Sequence, residues 1–516
     1  MKKLLLLLMV VFTIPSCTDQ DQFLDSIATT EDEITDNSDN TDDSDNSDNS
    51  DDDNSDDREP PSGLKAFPTA FGAGAYATGG RGGRVIHVEN LNDSGPGSLR
   101  EAIMTNGSRI IVFDISGTII LRSPINNVPP NVTIAGQTAP LGGITLKGQY
   151  VTFPSNSIVR YLRFRQDRND GGLSVSGVGV FSVDNFILDH CSISYGRDES
   201  LLVWDNASSR AGRHSIQNCI IAEGKTAVIL GANPNDINRA GLAGDYSFYR
   251  NLISHMHRTP NISGNGRYEV INNVIYNWHI RLSSVYNDAQ VNHIGNYYKP
   301  GPVTNQFVIE GSSIIGQYLN KVGDQDNGLA QFTGQIFTEE NEYEGFEELN
   351  NNNWNAWYNF FSSSVRPDEA TFRSFNRFPM LGRSIEPTSG SQAFSDVLSD
   401  VGANAYLDEN GEKNIFLDEN DERYISDAFS GADSFSVNQG NGLSHRWYAN
   451  RPLLILNSPN LPTNVRPQDY DTDGDGMPNA WEIANQLDPL DASDGNDIRE
   501  NGYTNIEEFL NQIDNK

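Results

Sequence analysis

Six short apolar runs, "IVRYLRF", "ILDHCSIS", "IQNCIIAE", "YRNLISHM", "INNVIYNW" and "HIGNYYKP", share one layout along the middle of the chain. Aligning them sets Tyr161, His190, Asn218, Asn251, Asn273 and Asn296 at one step, at intervals of 29, 28, 33, 22 and 23 residues. A repeat of about 27 residues with variable insertions predicts a solenoid in which each coil contributes short parallel strands. From about residue 84 onward, Val, Ile and Phe runs are broken by Gly, Asn and Asp, and helical periodicity is scarce. The four consecutive asparagines predict a ladder in which each side chain bonds its own turn and the amide of the next coil. Six coils at roughly 4.8 Å each would stack to about 24 Å. Cys191 and Cys219, one step on, are expected to stack as small core side chains rather than to form a disulfide. His190 and Asp189 read as packed turn residues rather than catalysts.

Charge divides the chain. Of the 516 residues, 70 are acidic and 36 basic, a formal net charge of -34. Residues 18–62 carry -17 and residues 467–516 carry -11, which leaves only -8 on residues 63–466. The near-neutral body excludes a nucleic-acid binder built on a basic face, and three cysteines exclude a disulfide-dense scaffold.

Lys2 and Lys3 precede the apolar run Leu4–Ile14, long enough for a signal-peptide core and too short to span a bilayer. The run ends in Ile-Pro-Ser-Cys, which resembles a bacterial lipoprotein signal with Cys17 as the lipidated residue. Residues 1–17 are thus expected to be a signal, and the protein a secreted, lipid-anchored outer-membrane or cell-surface monomer. Lipid chains would be its only membrane contact, at about 0.8 kcal/mol per buried methylene. Residues 18–62, mostly Asp, Asn and Ser, cannot bury enough apolar surface to offset backbone ordering and read as an acidic, disordered stalk. Residues 63–440 are the expected β-helix and 441–516 a separate tail.

The segments "GGRVIHVENLNDSGPGSLREAI", "RIIVFDISGTIIL", "NVTIAGQTAP", "SIVRYLRFR", "LDHCSISYGRDES", "HRTPNISG", "VINNVIYNW" and "GNYYKPGP" run in order from about Gly79 to Pro302. Together they resemble the bacterial branch of polysaccharide lyase family 1, the pectate lyases. The resemblance implies an all-β, right-handed parallel β-helix with a surface groove for an acidic polysaccharide, pectate or polygalacturonate first among uronate polymers.

It also implies β-elimination. A base removes the proton beside the carboxylate, the glycosidic oxygen leaves from the next carbon, and calcium or cationic side chains offset the developing charge. The resemblance places the base on Arg258 of Arg258-Thr259-Pro260. A guanidinium is normally a fixed cation, and lowering its pKa by about four units costs on the order of 5 kcal/mol. Lys225 of "EGKTAVILG" matches the lysine that meets the substrate carboxylate in similar enzymes. The family's second arginine, five residues after the first, is Ser263 here, and Arg267 is the nearby candidate for substrate binding. Of the family's primary calcium ligands only Glu199 carries over, with Gly179 and Val203 at the other two positions. Asp198 and Asp205 are expected to compensate, and Asp167 and Asp170 to approach from the preceding coil, around a calcium ion that needs six to eight oxygens.

The tail has its own metal pattern. "DTDGDGMPNAWE" sets Asp471, Asp473, Asp475, Gly476 and Glu482 at positions one, three, five, six and twelve of a calcium loop. It resembles thrombospondin type 3 or dockerin-like loops and predicts folding coupled to calcium. Asp491, Asp494, Asp497 and Glu508 read as a second half. Between body and tail, "SQAFSDVLSDVG" predicts a helix, and Trp354 and Trp357 are candidates either for stacking on sugar or for packing on the wall. Two other functions fit the fold. A glycoside hydrolase needs a pair of carboxylates flanking the bond, and a non-catalytic glycan-binding protein needs neither base nor metal.

Overall fold

The computed structural model describes residues 63–166, 177–196, 199–205, 212–232, 244–310, 315–323, 332–360, 362, 364–434 and 461–515. The chain divides between Arg58 and Glu59, and all described residues lie in the second unit. Cys17 and the acidic stalk fall outside them, as do Asp167, Asp170 and Asp198.

Three parallel sheets of ten, nine and eight strands wind into a right-handed β-helix, as expected. Each coil visits the first, the second and then the third sheet. One such coil runs through Arg213–Gln217, Ile220–Ala222 and Thr226–Ala232. At about 4.8 Å per strand the ten-stranded sheet is about 43 Å long. The interior is a continuous column of Val, Ile, Leu and Phe, with Leu188, Ile216, Phe248 and Val270 in successive first-sheet strands. Parallel strands buried on one face and covered on the other need apolar residues on both, which is why the runs read as near-continuous rather than alternating.

The corner between first and second sheets explains the repeat. Tyr161, His190, Asn218, Arg250 and Asn272 occupy it with φ between 47° and 56°, and Gly295 continues the column at 61°. The next residue inward begins the ladder. The amide of Cys219 donates to Asn251 Oδ1 at 2.9 Å, Asn251 to Asn273 at 2.9 Å, Asn273 to Asn296 at 3.0 Å, and Asn296 to Asn341 at 3.0 Å. Asn353 closes the row by accepting from Asn341 at 2.8 Å. The ladder is real, but the alignment of Tyr161, His190 and Asn218 with Asn251, Asn273 and Asn296 is one residue out. The first three are left-handed corner residues, and Cys191 and Cys219 are the true counterparts of the ladder asparagines. Both cysteines are buried and free, stacked in the column.

Two outer faces are covered. Helices Gly390–Ser399 and Glu419–Ser430, with Val401 just after the first, lay Val397, Val401, Tyr424 and Ala428 over Ile220, Leu252, Val274 and Tyr276 of the second sheet. The first of these is the helix expected from "SQAFSDVLSDVG". Tail helices Asn479–Ala484 and Asn505–Asn511 lay Trp481, Ile506, Phe509 and Leu510 over Ile110 and Val112 of the first sheet. Outward positions of the third sheet are polar instead, among them Asn261, Ser263, Ser284 and Lys321, and these too are buried. Trp354 and Trp357 are buried, so their role is wall packing.

Candidate active site

Chemistry collects where each coil turns from the second sheet into the third. Tyr195, Glu223, His255 and Asn277 begin these turns with φ between 52° and 67°, so consecutive turns start alike and stack in register. The Lys225 amide donates to the Gly196 carbonyl at 3.3 Å, and the Arg258 amide donates to the Lys225 carbonyl at 2.8 Å. Thr226 pairs laterally with Arg258, and Arg258 with Arg281. Lys225, Arg258 and Arg281 therefore occupy three consecutive coils, about 4.8 Å apart along the axis.

His257 registers the resulting field. Burial, followed by the charges of Arg258, Lys225 and Arg281, pushes its imidazole down to about 3. A neutral histidine so hard to protonate is a weak base. Arg281 was invisible to sequence reasoning. The residue is 6% exposed, and Nη1 donates to Asn261 Oδ1 and to the Leu282 carbonyl, both at 3.1 Å. Lys321 lies further along the third sheet, paired laterally with Ser284. Burial, then Arg281, lowers its ammonium to about 7.

The expected carboxylates do not converge here. Glu199 opens the strand Glu199–Asp205 beside Thr226 and belongs to the site. Asp205 closes the same strand, roughly 20 Å away at about 3.3 Å per residue. It points inward, 1% exposed, where it accepts from the Tyr246 hydroxyl and lies 3.4 Å from His214 Nε2. Glu199 and Asp205 therefore cannot share an ion, nor can they flank one glycosidic bond. Among the described residues no three metal-ligating side chains converge on Glu199.

Arg267 is also displaced from its expected place. It lies on the first sheet, where Nε and Nη2 grip the carboxylate of its register partner Asp245 at 2.8 and 3.0 Å. The sequence places it nine residues from Arg258, yet a three-residue third-sheet strand, Asn261–Ser263, intervenes and carries the chain around the corner. His190 behaves as a structural residue. It stacks on Tyr161 with ring centres 4.9 Å apart, and the neighbouring Asp189 and Asp400 carboxylates outweigh burial and raise it to about 9.

In the tail, Asp471, Asp473 and Asp475 gather their carboxylates, and Asp475 and Glu482 meet Asp494. Gly476 sits at φ 92°, where a Cβ would meet Ile506 and Val85 at 3.0 Å. Asp475 Oδ2, both Glu482 oxygens, Asp473 Oδ2 and Asp494 Oδ1 are buried without a hydrogen-bond partner. Burial and mutual repulsion push Asp475 up to about 7 and Glu482 up to about 8. Such a donor set fits a hard cation with oxygen ligands. The expected second half does not form separately: Asp494 joins the first loop, Asp491 bonds Ser493, and Glu508 accepts from Asn501 at 2.7 Å.

No protein-family model matches the chain. The probable pectate lyase C of Aspergillus flavus is 32% identical over 463 residues, 88% of this chain and 94% of that protein. Its counterpart in Aspergillus terreus is 40% identical over 252 residues, 47% of this chain and 56% of that protein. Among solved structures, the major allergen from cedar pollen is 17% identical, with a TM-score of 0.47 over 64% of this chain and 92% of its own. On the near full-length similarity to the first of these relatives, the chain belongs to the pectate lyase family.

Proposed function

We propose that the protein is a pectate lyase that cleaves polygalacturonate by β-elimination, with Arg258 as the base and Lys225 against the substrate carboxylate. The observation that carries this reading is the seating of the two cations side by side on adjacent coils, fixed by the 2.8 Å bond between their backbones. Like charge disfavours the protonated form of a neighbour, so Lys225 acts on Arg258 in the direction a guanidine base requires.

In the reaction the C–H bond beside the carboxylate breaks and its proton passes to Arg258. The electron pair forms the carbon–carbon double bond as the bond to the glycosidic oxygen breaks. That oxygen departs with its pair and takes up a proton, and no water is added to the sugar. Negative charge spreads onto the carboxylate before the oxygen leaves, and a cation fixed beside it stabilises that state more than the ground state. Hydrolysis would need two opposed carboxylates, which Glu199 and Asp205 do not supply.

The test follows the ultraviolet absorbance of the unsaturated end during incubation with polygalacturonate, with and without a calcium chelator. Absorbance should rise as the polymer shortens, and shortening without absorbance would refute elimination. We further propose that the tail holds one calcium ion on Asp471, Asp473, Asp475, Glu482 and Asp494, which supports folding rather than chemistry. The signal-like start with Cys17 supports a lipid-anchored, secreted protein; labelling with a radioactive fatty acid, lost in Cys17→Ala, tests it.

A further inference from the structure

We propose that His255, Asp427 and Asp433 form a site for a borderline divalent cation such as zinc, separate from the acidic loop of the tail. The covering helix Glu419–Ser430 ends at Gly431, whose φ of 76° turns the chain back. The amides of Gly431 and Ala432 both donate to the Asp427 carbonyl, at 2.8 and 3.2 Å. Asp427 and Asp433, six residues apart in sequence, thereby meet over His255. Nε2 of that histidine lies 3.6 Å from Asp427 Oδ2 and 3.7 Å from Asp433 Oδ1, and the three ligand atoms all fall within 4.8 Å of one another.

The separations decide between an ion pair and a shared ion. An imidazolium donating to a carboxylate closes on one oxygen at about 2.8 Å. Two ligands of a tetrahedral zinc ion, each at about 2.0–2.2 Å, stand about 3.4 Å apart. Both observed distances are nearly equal and beyond hydrogen-bonding reach, as for ligands arranged around a common centre. The supporting contacts are those that orient metal ligands. His255 Nδ1 meets Ser254 Oγ at 2.7 Å, and the Ser434 amide lies 3.2 Å from both Asp427 oxygens, to which it donates. Tyr276 stands edge-on to the imidazole, and its hydroxyl donates to the Ala432 carbonyl, beside Asp433. Arg423 is 3.9 Å from Asp427 but closer to Glu223, at 3.2 Å. His255 and Asp427 are fully buried, while the Asp433 side chain is 11% exposed, so an ion and a water ligand can enter past it. One imidazole with two carboxylates suits zinc better than calcium, which takes oxygen ligands. The ion clamps the end of the covering helix to the turn that reaches Arg258 three residues after His255.

The test is a calorimetric zinc titration of full-length Glu482→Gln, which lacks the tail site, in zinc-free calcium buffer. Calcium does not compete for an imidazole ligand, so chelation in such a buffer reads the tail alone. One equivalent of zinc should bind despite the calcium and raise the melting temperature. Asp433→Asn in the same background replaces the partly exposed ligand by a side chain of equal size, which spares the packing of His255. It should weaken zinc at least about a hundredfold, and Ser254→Ala, an outer partner, about tenfold to a hundredfold. No zinc uptake, displacement of zinc by calcium, or an Asp433→Asn affinity within twofold of the Glu482→Gln protein would overturn the inference and leave an ion pair only.

Discussion

Asn273→Ala removes a middle rung of the asparagine ladder, and its cost can be worked from the bonds. Asn273 Oδ1 accepts from Asn251 N at 2.9 Å and Asn251 Nδ2 at 3.0 Å. Its Nδ2 donates to the Phe248 carbonyl at 2.9 Å, the Ile271 carbonyl at 3.1 Å and Asn296 Oδ1 at 3.0 Å. The site is fully buried, so water cannot replace these partners without opening the corner. One orphaned buried N–H costs about 1–3 kcal/mol, and each further bond lost contributes about 1 kcal/mol net. With one orphan and four further bonds, the sum is about 5–7 kcal/mol. The assay is a urea titration followed by far-ultraviolet circular dichroism, with Asn355→Ala as control. Asn355 makes one exposed 3.3 Å bond, so its loss should stay within about 0.5 kcal/mol. A loss below about 1 kcal/mol for Asn273→Ala, with unchanged slope, would refute the ladder as a source of stability.

Other expectations follow from the charged groups. His190 is raised to about 9 in the folded protein, so its ion pairs contribute fully below the unfolded value of about 6.5 and are lost as pH rises through 9. His190→Gln should therefore lower the melting temperature far more at pH 6 than at pH 9.5, and equal losses would contradict the pairing. Arg267→Ala leaves the Asp245 carboxylate buried and unpaired, a destabilisation of about 3–5 kcal/mol. Its KM on polygalacturonate should not change. A chelator should lower the melting temperature of the parent and of Asp491→Asn alike, but not that of Glu482→Gln or Asp494→Asn, which lack the shared tail site. Two independent calcium steps in a titration of the parent, one of them lost in Asp491→Asn, would contradict a single site.

Much of the fold could be read from residue types, because a coil must end in a left-handed corner and bury a ladder. The slip of one residue has a chemical cause. Asparagine is favoured both at the corner, as Asn218 and Asn272, and at the ladder, as Asn251 and Asn273, so identity alone cannot tell the two columns apart. The resemblance singled out Arg258 and Lys225, and the fold sets them on adjacent coils; Arg281 beside them was not legible, since its place depends on pairing across coils of unequal length. Asp205 was misread because its proximity in sequence to Glu199 hid its place at the far end of the strand, buried against Tyr246 and His214. Asp494 was assigned to a loop of its own, and only the folded tail turns it toward Glu482.

Elimination at Arg258 is the central claim, and one measurement meets it directly. Polygalacturonate is incubated with the parent and with Arg258→Ala, and ultraviolet absorbance and viscosity are recorded together. The account predicts that absorbance rises in step with viscosity loss in the parent, and that both rates fall by about a thousandfold in a variant with parent-like melting. New reducing ends without absorbance, or parent-like rates in Arg258→Ala, would contradict it.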